Sequence, residues 1–453
     1  MGSRRNLELS LLILALALSV GGYVIVGMVA DNRVPAGVLG YGATLAVLFI
    51  GAHLVLRFRA PQADPVLLPG AALLNGLGLV MVRRLDYAAA AAGRQAQAPS
   101  QALWTVLGVV VFAAVIFLVT NHCTLERYRY IWLLAGLFLL VLPALPGVGR
   151  EINGARLWVG VGPFTGQPAE AAKIALVVFL AAYLAERNEL LATATYRAGP
   201  FLLPEIKYFL PLLMAWGVSL FVLLAEKDLG SSLLFFGMFL ILLYVATGRF
   251  SYVAAGLAMF MLGAVFAWSQ FAHVQVRVSA WLDPWKLYPN RGSFQLVQGL
   301  FSLATGGILG EGWNQGHPDA IPFASTDFIF DAFGEELGLL GVTALLLVYM
   351  LMVFRGLRVA LAANDDFGKL LSLGLVASFA IQVFVIVGGV TRLIPLTGIT
   401  LPFVSYGGSS LVANYALVAL LCRVSHDNAP APVPVADTDP EAAPGVGEVT
   451  VAR

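Results

Sequence analysis

Long apolar stretches, separated by short polar connections, run from the N-terminus to about residue 424. A helical crossing of a lipid bilayer needs about 20 apolar residues, and windows of this kind recur about twelve times. They cover residues 9–29, 38–56, 66–82, 102–120, 130–148, 170–185, 208–226, 229–248, 251–270, 327–354, 370–390 and 408–424. Because these runs do not alternate between apolar and polar positions, they are not the strands of a membrane β-barrel. The pattern predicts an all-α polytopic integral membrane protein.

The composition agrees with this fold class. Of 453 residues, 59% are hydrophobic and only 12% are charged, and the mean hydropathy is +0.84. Soluble globular chains are less hydrophobic, at about 45–50% apolar residues, and more charged, at about 25%. Arg4 and Arg5 precede the first apolar run, which is too long for a usual signal peptide and is expected to remain as an anchor. The segment 426–453 is rich in Pro, Ala and acidic residues, so a disordered cytoplasmic tail is predicted there.

Basic residues predict the orientation of the chain in the membrane. They concentrate in alternate connections, which the positive-inside rule places in the cytoplasm. These residues are Arg4, Arg5, Arg57, Arg59, Arg127, Arg129, Arg187, Arg197, Lys207, Arg249, Arg355, Arg358, Lys369 and Arg423. Arg83, Arg84 and Arg94 run against the rule. We therefore expect a multi-pass protein of the plasma membrane, with both termini inside and the residues around Asp283 outside.

Three connections on the predicted outer side are long and carry most of the unusual residues. They span residues 150–173, 271–327 and 388–410. Long segments within a compact bundle are commonly functional. Ionisable residues are nearly absent from the middle of the predicted helices, which favours chemistry at the outer interface over passage through the membrane.

The stretch SAWLDPWKLYPN, residues 279–290, has two interpretations. Asp283 followed by Pro284 is the pattern of a helix N-cap with proline at the first helical position. Alternatively, a carboxylate between two tryptophans can act as a general base. Trp281 and Trp285 fit either a platform for a sugar face or an interfacial aromatic belt.

Charged residues near this stretch suggest phosphate binding and an acidic helix face. Arg277, Lys286 and Arg291 suit either a pyrophosphate or lipid headgroups. In STDFIFDAFGEELG, a spacing of four places Asp327, Asp331 and Glu335 on one helix face, where cations must oppose them. The candidate cations are Lys173, Arg156, Lys227 and Arg392, and a divalent Mg²⁺ or Mn²⁺ ion is the alternative.

The segment LPFVSYGGSS combines a glycine pair with Ser405, Ser409 and Ser410 beside an apolar helix. Such a turn permits close backbone approach, and the amides of the next helix can hold an anion. The glycines of TGGILGEGW serve either packing or turning. The two cysteines, Cys123 and Cys422, are expected to be ordinary thiols, since a structural disulfide is not expected on the reducing side.

These segments, in this order, resemble the SEDS (shape, elongation, division and sporulation) family. The resemblance rests on NGARLWVGVGPFTGQPAEAAK, EKDLGSSL, WLDPW with FQLVQGLFSLATGGILGEGW, STDFIFDAFGEELG and GITLPFVSYGGSS. The last of these is closest to the RodA (rod-shape) branch, with the FtsW (division) branch second. The family typically has ten crossings, so residues 66–425 would form its core and residues 1–65 would add two helices.

The resemblance implies a peptidoglycan glycosyltransferase that polymerises lipid II on the outer face of the bacterial plasma membrane. It assigns catalysis to Asp283 and maps further motif positions onto Lys173, Asp327, Glu335 and Glu336. A class B penicillin-binding protein is an expected partner. Neither an organic cofactor nor a nucleic-acid partner is expected. Two other functions stay open, namely a lipid II flippase and a noncatalytic scaffold for the transpeptidase.

Overall fold

The computed structural model describes residues 2–152, 155–161, 164–192, 196–198, 201–203, 210, 213–214, 216–217, 228–288 and 292–429. The helices before the polar 150–173 connection are α1 (Gly2–Asp31), α2 (Val38–Arg59), α3 (Leu67–Ala91), α4 (Ala98–Leu118), α5 (Cys123–Arg127) and α6 (Arg129–Val141). Those after it are α7 (Pro168–Ala192), α8 (Leu229–Thr247), α9 (Phe250–Gln270), α10 (Ala272–Leu282), α11 (Pro284–Leu287), α12 (Phe294–Gly306), α13 (Ile329–Leu361), α14 (Asp366–Val390) and α15 (Gly408–Asp427). Among the described residues, nine helices are long and apolar enough to cross a membrane.

The all-α polytopic prediction is therefore confirmed, whereas the count of twelve stays a prediction. Eleven of the predicted segments fall on described helices, including the shorter α6. The twelfth, 208–226, lies mostly outside the described residues.

A small sheet replaces most of the loop expected between α6 and α7. Its strands are β1 (Gly149–Ile152), β2 (Ala155–Val161) and β3 (Phe164–Gly166), which pair antiparallel in chain order. The register sets Gly149 opposite Val159 and Val159 opposite Gly166. A second hairpin pairs β4 (Tyr196–Ala198) with β5 (Phe201–Leu203). Hairpins satisfy backbone polar groups internally, which a polar connection at a membrane surface requires.

Two ends of the bundle can be told apart by their contacts. At one end, here called the terminal side, the start of α1 meets the end of α15. Arg4 donates to the carbonyl of Gln62, and the Gln62 amide donates to His426 Nδ1 at 3.2 Å. The opposite end, here called the motif side, carries the small sheet and the connections 271–288, 307–328 and 391–407. The polar motifs of the sequence therefore gather at one end of the molecule.

Buried polar groups connect the first two helices to each other and to the rest of the bundle. Glu8 is fully buried and accepts from Arg5 and from His53, whose Nδ1 lies 2.7 Å away. Arg5 also donates to the carbonyl of Ala63, in the connection to α3. Because an unpaired charge at such a site is costly, these bonds fix how α1 and α2 dock.

Helix α13 is interrupted near its start by Gly338, whose φ of 64° only glycine adopts without strain. The amides of Leu339 and Leu340 donate to the carbonyls of Gly307 and Ile308. In return, the backbone amides of Glu311 and Gly312 donate to the backbone carbonyls of Glu335 and Glu336. The glycine-rich turn after α12 is thus bonded to a broken helix, and the acidic residues lie on the short piece before the break.

Candidate active site on the motif side

Three of the sequence motifs meet through Gln167, Asp228 and Ser409. The Gln167 amide donates to Ser409 Oγ at 2.7 Å, and its side chain donates to Asp228 Oδ2 at 3.2 Å. Asp228 is the N-cap of α8 and also accepts from Ser231. Burial raises the pKa of Asp228, against the lowering effect of its bonds from Ser231. Ser409, predicted to bind substrate, is thus placed in this network.

Lys173 occupies a buried position directly behind that network. Its Nζ donates to Glu170 Oε2 and to Gln382 Oε1, both at 2.8 Å. The amide nitrogen of Gln382 donates onward to the carbonyl of Thr400 at 3.0 Å. A lysine that is 2% exposed needs such partners, because an unpaired buried ammonium is very costly. Lys173 therefore links α7 to α14 and to the 391–407 connection.

Arg277 joins this network from α10. Its guanidinium donates to the carbonyl of Thr397 at 2.9 Å and faces the carboxylates of Asp228 and Asp327. Burial lowers the pKa of Arg277, and the two carboxylates oppose that effect. Burial also raises the pKa of Asp327 to about 6, although Arg277 opposes it. Gly398, with a φ of +79°, lets the backbone pass close to both groups.

Asp283 lies at the joint between α10 and α11, and it is exposed. Its Oδ1 accepts from the Lys286 amide at 3.2 Å, so the capping interpretation is confirmed. The residues before it are held by Arg392, which donates to the carbonyls of Trp281 and Leu282 at 2.8 and 2.7 Å. In return, Trp281 Nε1 donates to the Arg392 carbonyl at 3.1 Å. A cap and a general base are compatible, because one carboxylate oxygen remains.

The aromatic residues after Asp283 pack against α12. Trp285 contacts Phe301, while Tyr288 stacks on Phe294 with ring centroids 5.9 Å apart. Trp285 is still 50% exposed, so part of its side chain is accessible to a ligand or a lipid. The side chains of Lys286 and Arg156 are also exposed, as an anion site requires.

The acidic residues of the α13 segment differ from their prediction in two ways. Asp327 precedes the helix, which begins at Ile329, so a single helix face does not carry all three carboxylates. The expected cations are also wrong for the described residues. Glu336 pairs with Arg84, and Glu335 accepts from Ser302 and from the His317 amide. The side chain of Asp331 is buried without a hydrogen-bond partner among the described residues.

The 391–407 connection closes this region. Ser405 is buried, donates to the Thr326 carbonyl at 2.6 Å and accepts from the Leu401 amide. Its predicted substrate role stays a prediction, and its observed bonds are structural. Gly408 permits the close approach predicted for the glycine pair, because a Cβ there would overlap the ring of Trp104. Nearby, a cavity of about 380 Å³ opens, lined in part by Arg94, Asp319 and Thr326.

Two predicted residues, Lys227 and Arg291, lie outside the described residues. The sequence predictions did not include Glu170, Gln167, Asp228 and Gln382, which complete the network, or Arg84, which pairs with Glu336. Signals existed for two of them. Gln382 is a lone amide within an apolar helix, and Asp228 precedes Ser231 in a capping pattern. For Arg84 the only signal in the sequence is its exception to the charge rule, which indicates no partner.

The cell cycle protein family model FTSW_RODA_SPOVE matches residues 65–429. The chain belongs to this family. It is 49% identical to the peptidoglycan glycosyltransferase RodA of Mycobacterium tuberculosis, over 94% of this chain and 91% of that protein. It resembles the crystal structure of the rod shape determining protein RodA from Thermus thermophilus, with a TM-score of 0.56 and 27% identity. That match covers 81% of this chain and 97% of the other.

A further solved structure connects the fold to a larger assembly. It belongs to a peptidoglycan synthase complex in which polymerization and crosslinking are coordinated. The match has a TM-score of 0.57 and 28% identity and covers 86% of this chain and 98% of the other. The chain is thus a multi-pass membrane protein of the SEDS family and of the RodA type.

Proposed function

We infer that this protein is a RodA-type peptidoglycan glycosyltransferase. The observation that carries the inference is 49% identity over nearly the whole chain to proteins with that activity. It is supported by the meeting of the family motifs on the motif side, around Asp283, Arg277 and Lys173. The proposed substrate is lipid II, whose polymerisation would build the glycan strands laid down during cell elongation.

The proposed orientation places the motif side outside the cell. The terminal side carries Arg4, Arg57, Arg59, Arg127 and Arg355. Such a concentration of basic residues is expected of a cytoplasmic surface. The start of α1 and the end of α15 belong to that side, because Gln62 contacts Arg4 and His426. Lipid II presents its sugars outside, where the motif side would receive them.

Asp283 is proposed as the general base. It would take the proton from the 4-hydroxyl of the acceptor sugar, whose oxygen attacks the anomeric carbon of the donor. The bond from that carbon to the pyrophosphate oxygen breaks, and undecaprenyl pyrophosphate leaves. Such a single displacement inverts an α-linked donor into a β-1,4 linkage.

The departing pyrophosphate requires positive charge. Lys286 and Arg156 are exposed and suit this task, whereas Arg277 and Arg392 already bond to backbone carbonyls and therefore serve positioning. Within the described residues, the motif side has no cluster of three His, Cys, Asp or Glu ligand groups. A Mg²⁺ or Mn²⁺ ion would therefore be held mainly by the pyrophosphate itself.

The fold resemblance to a peptidoglycan synthase complex supports a class B penicillin-binding protein as partner. That transpeptidase would crosslink the strands that this chain polymerises. Purification for assay should therefore include the cognate partner.

The deciding experiment compares wild type with Asp283→Asn on fluorescent lipid II. Asparagine caps helices as well as aspartate does, so this change removes the base and keeps the cap. We expect glycan synthesis to fall at least about 100-fold with an unchanged melting temperature. The matched control is Asp31→Asn, which changes an exposed carboxylate at the end of α1.

Undiminished ladders from Asp283→Asn would overturn the assignment of the base. Failure of the wild type to polymerise, together with scrambling of lipid II in liposomes, would favour the flippase. Failure in both assays would favour the noncatalytic scaffold.

A further inference from the structure

Three connections on the terminal side converge on one histidine. His122 follows α4 and is 3% exposed. Its Nδ1 lies 2.8 Å from Asp427 at the end of α15, and its Nε2 lies 2.9 Å from Asp365 at the start of α14. The next residue, Cys123, places its Sγ 3.6 Å from the same Nε2. None of these residues belongs to the network on the motif side.

The three groups around His122 Nε2 have the dimensions of a metal site. Their ligand atoms lie within 4.8 Å of one another. Zinc bonds of about 2.0–2.1 Å to nitrogen and about 2.3 Å to sulfur give a tetrahedral N···S edge of about 3.6 Å. The distance between His122 Nε2 and Cys123 Sγ equals this value. The corresponding N···O edge is about 3.3 Å. Because His122 Nε2 and Asp365 Oδ2 lie 2.9 Å apart, the carboxylate would move away by a few tenths of an ångström when a cation binds.

The surrounding bonds orient these ligands. Asp427 Oδ2 accepts from the backbone amide of His122 at 2.9 Å as well as facing its Nδ1. The Asp427 carboxylate keeps a proton on Nδ1, which is the usual arrangement behind metal-bound histidines. Nε2, which faces Asp365 Oδ2 at 2.9 Å, would give up its proton on cation binding and donate its lone pair. Asp365 Oδ1 accepts from the Gly368 amide at 2.6 Å, so Oδ2 is the oxygen left to bind. The Cys123 amide donates to Asn121, which fixes the turn that carries the thiol.

We propose that His122, Cys123 and Asp365 form a binding site for a thiophilic divalent cation of the zinc class. The thiolate selects this class over Mg²⁺ and Ca²⁺, which prefer oxygen ligands. Cys123 is exposed, so the cation can enter from solvent and keep a fourth position for water. Bound there, the cation ties the α4–α5 turn to the α13–α14 turn.

The test uses the full-length protein, purified without a polyhistidine tag and stripped of metal with a chelator. Co²⁺ is titrated in as a spectroscopic probe, and Zn²⁺ then competes with it. We expect one Co²⁺ per chain, with visible bands of a tetrahedral ion and a sulfur-to-cobalt charge-transfer band. Zinc should displace the cobalt. Because the readout is metal binding, it is independent of glycosyltransferase activity.

Variants separate this site from adventitious binding. Cys123→Ser should lose the charge-transfer band, whereas the control Cys422→Ser, at the buried second cysteine, should keep it. Asp427→Asn should keep the band but weaken binding about 10–100-fold, because it only supports the histidine. Each variant's thermal unfolding is checked first, and Cys123→Ser should fold because its side chain is exposed.

Two results would overturn the proposal. Wild type that binds no more cobalt or zinc than Cys123→Ser would reduce the cluster to ion pairs between His122 and its two aspartates. A charge-transfer band that survives in Cys123→Ser and disappears in Cys422→Ser would place the metal elsewhere.

Discussion

Trp281 and Arg392 form two hydrogen bonds with each other, and each residue is the donor in one of them. The indole donates to the Arg392 carbonyl at 3.1 Å, and the guanidinium donates to the Trp281 carbonyl at 2.8 Å. Arg392 itself has a φ of 63°, an unfavourable conformation for an arginine, which surrounding contacts must maintain. The loop after α14 thereby sets the position of the backbone that leads into Asp283.

Arg392→Ala should therefore slow glycan synthesis through misplacement of Asp283. We expect kcat to fall about 10–100-fold, with a smaller change in KM, because small shifts of a catalytic group are costly. Arg392→Lys should recover little, since lysine lacks the planar fork that serves two carbonyls. Full activity of Arg392→Ala would contradict this role. Arg358→Ala, at an exposed arginine of the terminal side, is the control.

The partly buried carboxyl of Asp327 should give a distinct pH dependence of stability. Its pKa is raised from 3.8 to about 6 in the folded protein. Between these values the unfolded chain releases a proton that the native protein retains, so unfolding becomes easier as the pH rises from about 4 to 6. The loss amounts to at most about 3 kcal/mol and is constant above that window.

Thermal unfolding of wild type and Asp327→Asn across this pH range measures the effect. The variant has no carboxyl to ionise, so the stability difference between the two proteins should shift in its favour up to about pH 6. Parallel curves would contradict the raised pKa. Asp31→Asn serves as the exposed control.

The buried pair of Arg84 and Glu336 should carry a large part of the stability of the motif side. Arg84→Met strands a buried carboxylate, and we expect a loss of about 3–5 kcal/mol in unfolding free energy. The double variant with Glu336→Leu should recover most of that loss, because an apolar pair needs no charge compensation.

A double-mutant cycle measured by thermal unfolding gives the coupling between these two residues. Additive losses would show that they do not act as a pair. Asp331→Asn, at a nearby carboxyl without a hydrogen-bond partner among the described residues, should shift the melting temperature less than Arg84→Met.

Gly338→Ala should disrupt the break in α13. An alanine at its φ of 64° and ψ of −169° costs about 1–3 kcal/mol in backbone strain. Its Cβ would also overlap the backbone of Ile308 and Gly310, so the glycine-rich turn would have to move. Gly51→Ala, in a helix with open space around the site, is the control and should not be destabilising. Equal melting temperatures for the two variants would contradict the expected strain.

The sequence by itself determined the fold class, the approximate helix positions and the family. Apolar runs of membrane length leave few other structures, because every backbone polar group within a bilayer must bond internally. The N-cap role of Asp283 was one of two interpretations available from the sequence, since that role depends on a bond between residues three apart.

Only the tertiary structure decided which polar residues face each other. Arg84 and Glu336 are 252 residues apart, Lys173 and Gln382 are 209 apart, and His122 meets Asp365 across 243. Spacing along a helix gives the face of a residue but not the helix that packs against it. For that reason the expectation that Lys173, Arg156 and Arg392 oppose the α13 carboxylates was wrong, whereas Lys227 lies outside the described residues. The partner of Arg84 likewise depends on the packing of α3 beside α13.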